Sequence, residues 1–385
     1  MLKGTFPLER FAGLQTPFYY YDTGLLQKTL DCVLEQVADR PSWQVHYAVK
    51  ANHNPVILKQ IAGAGLGADC VSGGEIQAAL DAGFPPGSVV FAGVGKTDRE
   101  IELGLEAGIG RFNVESAAEL RVIAEIAAAR GCIAPVSLRV NPDIGAHTLA
   151  GITTGMAENK FGIYHGAVAE VIKEALDTPS VSYRGLHFHI GSQILDMSDF
   201  AALCNRINDL CARLERMGIP VGDINVGGGL GIEYGHPNHL PIADFAAYFG
   251  TFKELLPEGY AVHFELGRSI VAPCGTLISR VLYVKEGVAR RFAILDAGMN
   301  DLVRPAMYHA SHRIENLSSD GPELPYDVVG PVCESSDVFG KGVVLNECRR
   351  RDIIAIRSAG AYGESMASRY NCRPFAPSVF PTESL

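Results

Sequence analysis

From residue 43 to residue 269 the chain repeats one pattern, a short apolar run followed by a segment with apolar residues at helical spacing. Strand-like runs fall at 43–50, 67–72, 89–93, 111–115, 134–142, 183–192, 223–228 and 261–269. Helical periodicity fills the gaps at 55–64, 74–82, 98–107, 117–130, 167–176, 199–216 and 241–256. Alternation at this spacing requires parallel strands joined by helical crossovers, and eight is the number of strands that closes a barrel. A doubly wound open sheet also alternates. Eight units within about 230 residues match the barrel's usual span and favour an eight-stranded (β/α)8 TIM barrel.

The flanks read differently. Residues 17–22 form a strand, and 23–37 an amphipathic helix with Leu25, Leu26, Leu30, Val33 and Leu34 on one face. Beyond Cys274 the runs at 276–285, 291–296, 326–332 and 352–357 are strand-like, with glycine and proline between them. They predict an antiparallel β domain of barrel or sandwich type, which strand 17–22 joins. The expected division is a barrel over 25–274 and a β domain made of 1–24 together with 275–385. At 385 residues the chain is long enough for two such cores.

A formal charge of −10 argues against a general nucleic-acid binder or a partner for anionic membranes. The opening Met-Leu-Lys-Gly-Thr-Phe-Pro lacks the apolar centre of a secretory signal, and no run is long enough to span a bilayer. Nine cysteines are scattered without metal-ligand or disulfide-framework spacing. The expectation is a cytoplasmic protein with reduced thiols and no metal.

Lys50, in His46-Tyr-Ala-Val-Lys-Ala-Asn-His-Asn-Pro55, sits where a buried strand gives way to a helix. A lysine there normally points to solvent. This one follows an apolar run and has small neighbours, as an amine held in a pocket to form a Schiff base with a carbonyl cofactor would need. Chemistry in such a barrel sits at the C-terminal ends of the strands. Those ends carry Lys50, Asp69, Glu115, Arg139, His189 with Ser192, Gly227-Gly228-Gly229, and Glu265 with Arg268. Each has an ordinary explanation alone, such as a tight turn for the glycines or a salt bridge for Glu265. Together they offer an amine, an anion cradle after strand seven and a buried carboxylate. Those are the three attachment points of pyridoxal 5′-phosphate, whose ring nitrogen needs an acidic partner. His187 or His189 is placed to lie against its ring.

Several motifs carry a family resemblance. Tyr47-Ala-Val-Lys50-Ala-Asn, His187-Phe-His-Ile-Gly-Ser-Gln193, Gly227-Gly-Gly-Leu-Gly231 and Glu265-Leu-Gly-Arg268 resemble the barrel-type pyridoxal-phosphate decarboxylases of basic amino acids. The stretch 147–155 leading to Lys160-Phe-Gly162, with Asp296-Ala-Gly-Met-Asn-Asp-Leu-Val-Arg-Pro305, Gly330-Pro-Val-Cys-Glu-Ser335 and Ala361-Tyr-Gly363, narrows the resemblance to the diaminopimelate decarboxylase family. One departure is Leu266, where the family commonly has proline; it removes rigidity but no polar group.

The resemblance implies the alanine racemase-like, fold type III architecture and a homodimer with shared active sites. It implies that Lys50 holds the cofactor, His189 stacks on it, Glu265 pairs with the ring nitrogen and Asp69 supports Lys50. Ser192, Gly227, Gly228, Gly229, Gly267, Arg268 and Tyr362 would hold the phosphate. Arg268, Arg304, Tyr308, Glu334 and Tyr362 would contact a small diamino acid, with Cys333 of a second subunit as proton donor. Arg304 suits a distal carboxylate and Glu334 a distal ammonium, which together describe meso-2,6-diaminopimelate, decarboxylated to L-lysine. The rivals are a decarboxylase of ornithine, lysine or arginine, a racemase on the same scaffold, and a catalytically silent homologue.

Overall fold

A computed structural model describes residues 6–142, 160–237 and 241–381; the motif at 147–155 lies outside them. The chain divides into two compact units, one of Thr29–Gly231 with Asp244–Gly267, the other of Met1–Lys28, Ile232–Ala243 and Arg268–Leu385.

In the first unit eight parallel strands close on themselves: Trp43–Ala48, Gly67–Cys70, Val89–Phe91, Arg111–Val114, Ala134–Asn141, Val181–His187, Asp223–Asn225 and Val262–Leu266. The last strand returns to the first in register, with Val262 opposite Trp43 and Leu266 opposite Tyr47. The crossover helices start on the signals their sequences carry. Asn54, Ser72, Ser116, Asp196 and Asp244 each accept a backbone N–H from the first turn, and Thr97 with Glu100 completes a capping box. Helix Phe245–Leu255 drives Tyr248, Phe249 and Phe252 against Phe264 of the last strand. Each such buried aromatic contributes roughly 1.5–3 kcal/mol.

Several barrel strands are shorter than the sequence pattern suggests. The expected run 183–192 leaves the sheet after His187, and 223–228 leaves it after Asn225. The cause is local. Asn225 Oδ1 accepts the Gly227 N–H at 2.9 Å, and Gly227 takes φ +72°. His189, Ser192 and the glycine run therefore ride on loops just past the strand ends.

The second unit is built on a mixed sheet. Gly275–Glu286 lies at its centre, antiparallel to Arg291–Leu295, to Ile353–Ile356 and to Phe18–Tyr21, so the strand that precedes the barrel does join this sheet. Arg291–Leu295 pairs in parallel with Glu323–Val329. Ile314–Asn316 and Val338–Asn346 are strands that the sequence pattern does not announce, the first for its brevity and the second because two glycines break its alternation. Phe11, Phe18, Tyr20, Ile278, Leu317, Ile353 and Ala355 form one core of this unit. Among the described residues no helix is long and apolar enough to cross a membrane.

Candidate active site

Lys50 lies in a 3-10 turn, Val49–Ala51, between strand Trp43–Ala48 and helix Pro55–Gly63. The turn is pinned from below, where the buried Tyr47 hydroxyl donates to the Asn52 carbonyl at 2.9 Å. Gly267 packs over it so closely that an added Cβ would stand 3.0 Å from Ala48 and 3.1 Å from Ala51. The Lys50 side chain is 39% exposed, and its Nζ donates to Asp69 Oδ2 at 3.0 Å. Asp69 is fully buried, and its Oδ1 has no hydrogen-bond partner among the described residues. Burial, then the neighbouring Glu265 carboxylate, push the Asp69 pKa up to about 6 against the pull of Lys50.

Glu265 projects into the barrel from the eighth strand. Its Oε1 accepts from Asn113 Nδ2 at 3.0 Å and from Asn225 Nδ2 at 2.7 Å, and its Oε2 faces His187 Nε2 at 3.0 Å. Burial works to raise its pKa, but His187 and the Lys50 cation outweigh it and hold the carboxyl well below the usual range. A carboxylate offers about four acceptor positions. Among the described residues these bonds use three, which leaves one on Oε2.

Asn113 is itself anchored. Its carbonyl accepts at 2.8 Å from Lys96 Nζ, whose side chain is 1% exposed and which also reaches Gly93 O at 2.8 Å and Glu119 Oε1 at 2.6 Å. Glu115 and Arg139, expected at strand ends, form a buried ion pair at 2.7 Å. Asn113, Asn225 and Lys96 were not singled out in the sequence. For Asn113 and Asn225 the signal is a polar residue inside an apolar strand, two positions before a residue that drew attention, whereas Lys96 lies on the loop between strand Val89–Phe91 and helix Asp98–Ala107 and carries no such signal.

The glycine loop is close-packed against its neighbours. A Cβ on Gly228 would lie 1.8 Å from the Glu265 carbonyl, and one on Gly229 would lie 2.7 Å from that of Gly191. Two backbone bonds, Ile194 N to Gly229 O and Gly231 N to Ile194 O, each 2.9 Å, tie this loop to the one bearing Ser192. Two of the amides are already used. Gly227 N–H goes to Asn225, and Gly228 N–H donates to His189 Nδ1 at 3.3 Å. That bond leaves the proton of His189 on Nε2. Desolvation, then the Arg139 and Lys50 cations, hold the His189 pKa well below its ordinary value, so the ring is neutral.

The second unit gathers another group. Arg268 opens the short helix Arg268–Val271, and its Nη1 donates to the Tyr234 hydroxyl at 2.9 Å. Its guanidinium lies 4.9 Å from the ring centroid of Tyr362, a residue held at φ +56°. Arg304, 5% exposed at the start of helix Arg304–Tyr308, donates to His312 Nε2 at 2.8 Å and lies 4.9 Å from the Tyr234 ring centroid. Tyr308, on the same helix, is half-buried. Tyr234 and His312 are additions that the sequence motifs did not supply.

Cys333 and Glu334 are exposed on a loop folded around Asp337, whose carboxylate accepts from Met299 N and Val332 N, each at 2.7 Å. Gly330 is required there, because a Cβ would stand 2.4 Å from Asp337 Oδ2. Glu334 Oε1 accepts from the Tyr370 hydroxyl at 2.6 Å.

A family model described as the pyridoxal-binding domain of pyridoxal-dependent decarboxylases matches residues 26–272. A diaminopimelate decarboxylase of Bacteroides thetaiotaomicron is 61% identical over 374 residues, 97% of each chain. The chain belongs to the diaminopimelate decarboxylase family. Within that family, the crystal structure of the Helicobacter pylori diaminopimelate decarboxylase complexed with L-lysine matches with a TM-score of 0.92 and 41% identity, covering 98% of this chain and 94% of that one. A lysine/ornithine decarboxylase from Vibrio vulnificus, 21% identical, shares the fold with a TM-score of 0.83, covering 98% of this chain and 97% of its own. The chain is thus a pyridoxal-phosphate-dependent decarboxylase of fold type III.

The residues present fit the cofactor. A Cβ-excluding glycine loop beside Ser192, a reachable amine at Lys50 and a buried carboxylate with one unspent acceptor position match its phosphate, aldehyde and ring nitrogen.

Proposed function

We infer that the chain decarboxylates meso-2,6-diaminopimelate to L-lysine and carbon dioxide, the last step of lysine biosynthesis. The observation that carries the choice of substrate is Arg304. It is a buried guanidinium with no carboxylate partner among the described residues, only an imidazole and a tyrosine face. A buried charge without a counter-ion is costly. A substrate with a distal carboxylate removes that cost, whereas ornithine, lysine and arginine bring none.

When bound, pyridoxal phosphate supplies an electron sink for the bond broken at Cα. Lys50 would carry its aldehyde carbon, Glu265 would keep its ring nitrogen protonated, and the neutral His189 ring would lie against it. Ser192 and the loop Gly227, Gly228 and Gly229 would hold the phosphate with Gly267, Arg268 and Tyr362. With Gly227 and Gly228 amides engaged by Asn225 and His189, their contribution is close approach of backbone, and Gly229 is the first amide of the run left for the anion. Asp69 would hold the Lys50 amine in place, its Oδ2 accepting from Nζ at 3.0 Å. Arg268, Tyr308 and Tyr362 join Arg304 on the substrate. Carbon dioxide release from a panel of diaminopimelate, ornithine, lysine and arginine tests the reading. Turnover confined to diaminopimelate is expected, and equal turnover of L-lysine or ornithine would overturn it.

The active site is read as shared within a homodimer. Cys333 would return the proton to Cα and Glu334 would take the distal ammonium, both in the site of the partner chain. Their exposure on a braced loop supports this. Mixing Lys50→Ala with Cys333→Ala protein should recover about a quarter of the sites by random pairing. Recovery of none, with subunit exchange demonstrated, would place Cys333 in its own chain's site. Nine free cysteines suit a reducing, cytoplasmic setting.

A further inference from the structure

We propose that His312 is the positioning residue that makes Arg304 an anion reader, aiming the guanidinium while leaving its charge unspent. This rests on the reading of Arg304 as the grip on the distal carboxylate.

The geometry begins in the sheet of the second unit. Ile314–Asn316 and Ile353–Ile356 pair antiparallel, with Ile314 opposite Ile356, and Arg357 N extends the ladder to Arg313 O at 2.8 Å. One step further a side chain replaces the strand. His312 Nδ1 lies 2.8 Å from the Arg357 carbonyl oxygen, and His312 is 8% exposed. A carbonyl only accepts, so Nδ1 carries the proton. A guanidinium only donates, so Nε2, 2.8 Å from Arg304 Nη1, carries none. The imidazole is therefore a neutral acceptor fixed at both ends. Burial, then the adjacent Arg304 cation, lower its pKa to about 3, so it stays neutral across the working range.

Tyr234 closes the other side. Its ring faces the Arg304 guanidinium, its centroid stands 5.1 Å from that of His312 in an edge arrangement, and its hydroxyl accepts from Arg268. A cation over a tyrosine face is stabilised without being neutralised. Two other buried arginines are treated differently: Arg357 has Glu315 at 2.7 Å and Arg139 has Glu115 at 2.7 Å. At Arg304 a carboxylate in the place of His312 would give equal aim and cancel the charge. The imidazole gives aim alone, and the charge is kept for the ligand.

The test uses the holoenzyme with meso-diaminopimelate as substrate and cadaverine, a diamine of the same chain length that carries no carboxylate, as competing ligand. His312→Leu should raise KM about tenfold or more with kcat within about threefold, the signature of lost ground-state and transition-state binding in equal measure. The inhibition constant of cadaverine should stay within about twofold. His312→Gln restores a neutral acceptor and should bring KM back to within about threefold of the parent, whereas His312→Glu, of the same size but anionic, should raise KM at least as much as His312→Leu. Equal KM values for the Gln and Glu variants, or a parallel loss of cadaverine binding in His312→Leu, would overturn the proposal. If His312→Leu fails to fold, the Gln and Glu pair decides. Arg304→Ala separates the layers: unchanged KM there would sink the reading of Arg304 itself, while a raised KM with an unaffected His312→Leu would sink only the role of His312.

Discussion

Two buried charges, one in each unit, are furnished in opposite ways. Glu265 of the barrel unit is 7% exposed and receives three hydrogen bonds, from two asparagines and a histidine. Arg304 of the second unit is 5% exposed and, among the described residues, donates to a histidine and lies against a tyrosine. The carboxylate is stabilised before any ligand arrives, so its ionisation is a fixed property of the protein. The guanidinium is held in place yet has no counter-ion among the described residues, so on the proposed reading its full stabilisation would wait for the substrate. On the proposed reading, one site would set the electronic character of a resident cofactor, and the other would discriminate among molecules that come and go.

The largest effect expected from this contrast is at the cation. Arg304→Lys keeps the charge but loses the planar fork, and should cost about 2–5 kcal/mol in kcat/KM for diaminopimelate. Unchanged kcat/KM would mean the distal carboxylate is read elsewhere. At the anion, Glu265→Gln keeps the shape and removes the charge. It should lower kcat about 10²-fold, as loss of a preorganised electrostatic partner does, with KM little changed. A loss in KM alone would move Glu265 into the role assigned to Arg304 and erase the contrast.

The supports of the carboxylate come next. Asn113→Leu strips one donor from Glu265 Oε1 and leaves the charge buried, at about 1–3 kcal/mol. The loss should appear in thermal stability and in kcat, and a variant as stable and active as the parent would show that Glu265 does not depend on its three-donor cage.

The smallest effect concerns the floor of the barrel. His46 donates from Nδ1 to Ser88 O at 3.1 Å and meets His263 Nδ1 through Nε2 at 3.0 Å. Burial, then the charge of His263, lower the His46 pKa to about 3. The unfolded chain takes up a proton near pH 6.5 that the folded chain refuses. The stabilisation is therefore complete above that pH and is lost as pH falls from 6.5 toward 3, by about 1.4 kcal/mol per pH unit. Melting curves at pH 7 and 5 should separate less for His46→Gln than for the parent, and equal separations would remove His46 from the acid response.

Much of this was legible in the sequence, because an amine at a strand end, a glycine run after strand seven and a carboxylate on strand eight are read from residue type and position. The barrel was legible for the same reason, since repeated period changes need no knowledge of packing. What escaped is the layer that holds those residues. Asn113 reaches Glu265 across the barrel interior, from a strand that does not pair with the eighth, and Lys96 acts through Asn113; no spacing along the chain announces that. His312 meets Arg357 forty-five positions away through the sheet, and Tyr234 meets Arg268 thirty-four away. The strand ends were overread by several residues because Val226 and Ile190 continue the apolar pattern after the ladder has stopped.

The claim on which the rest stands is that Lys50, at the first strand's end, is the cofactor's covalent anchor. Reduction of the holoenzyme with borohydride, followed by proteolysis and mass mapping, measures it directly. The account predicts the pyridoxyl label on the peptide containing Lys50 and its absence from Lys50→Ala protein. A label on any other lysine, Lys96 included, would contradict it.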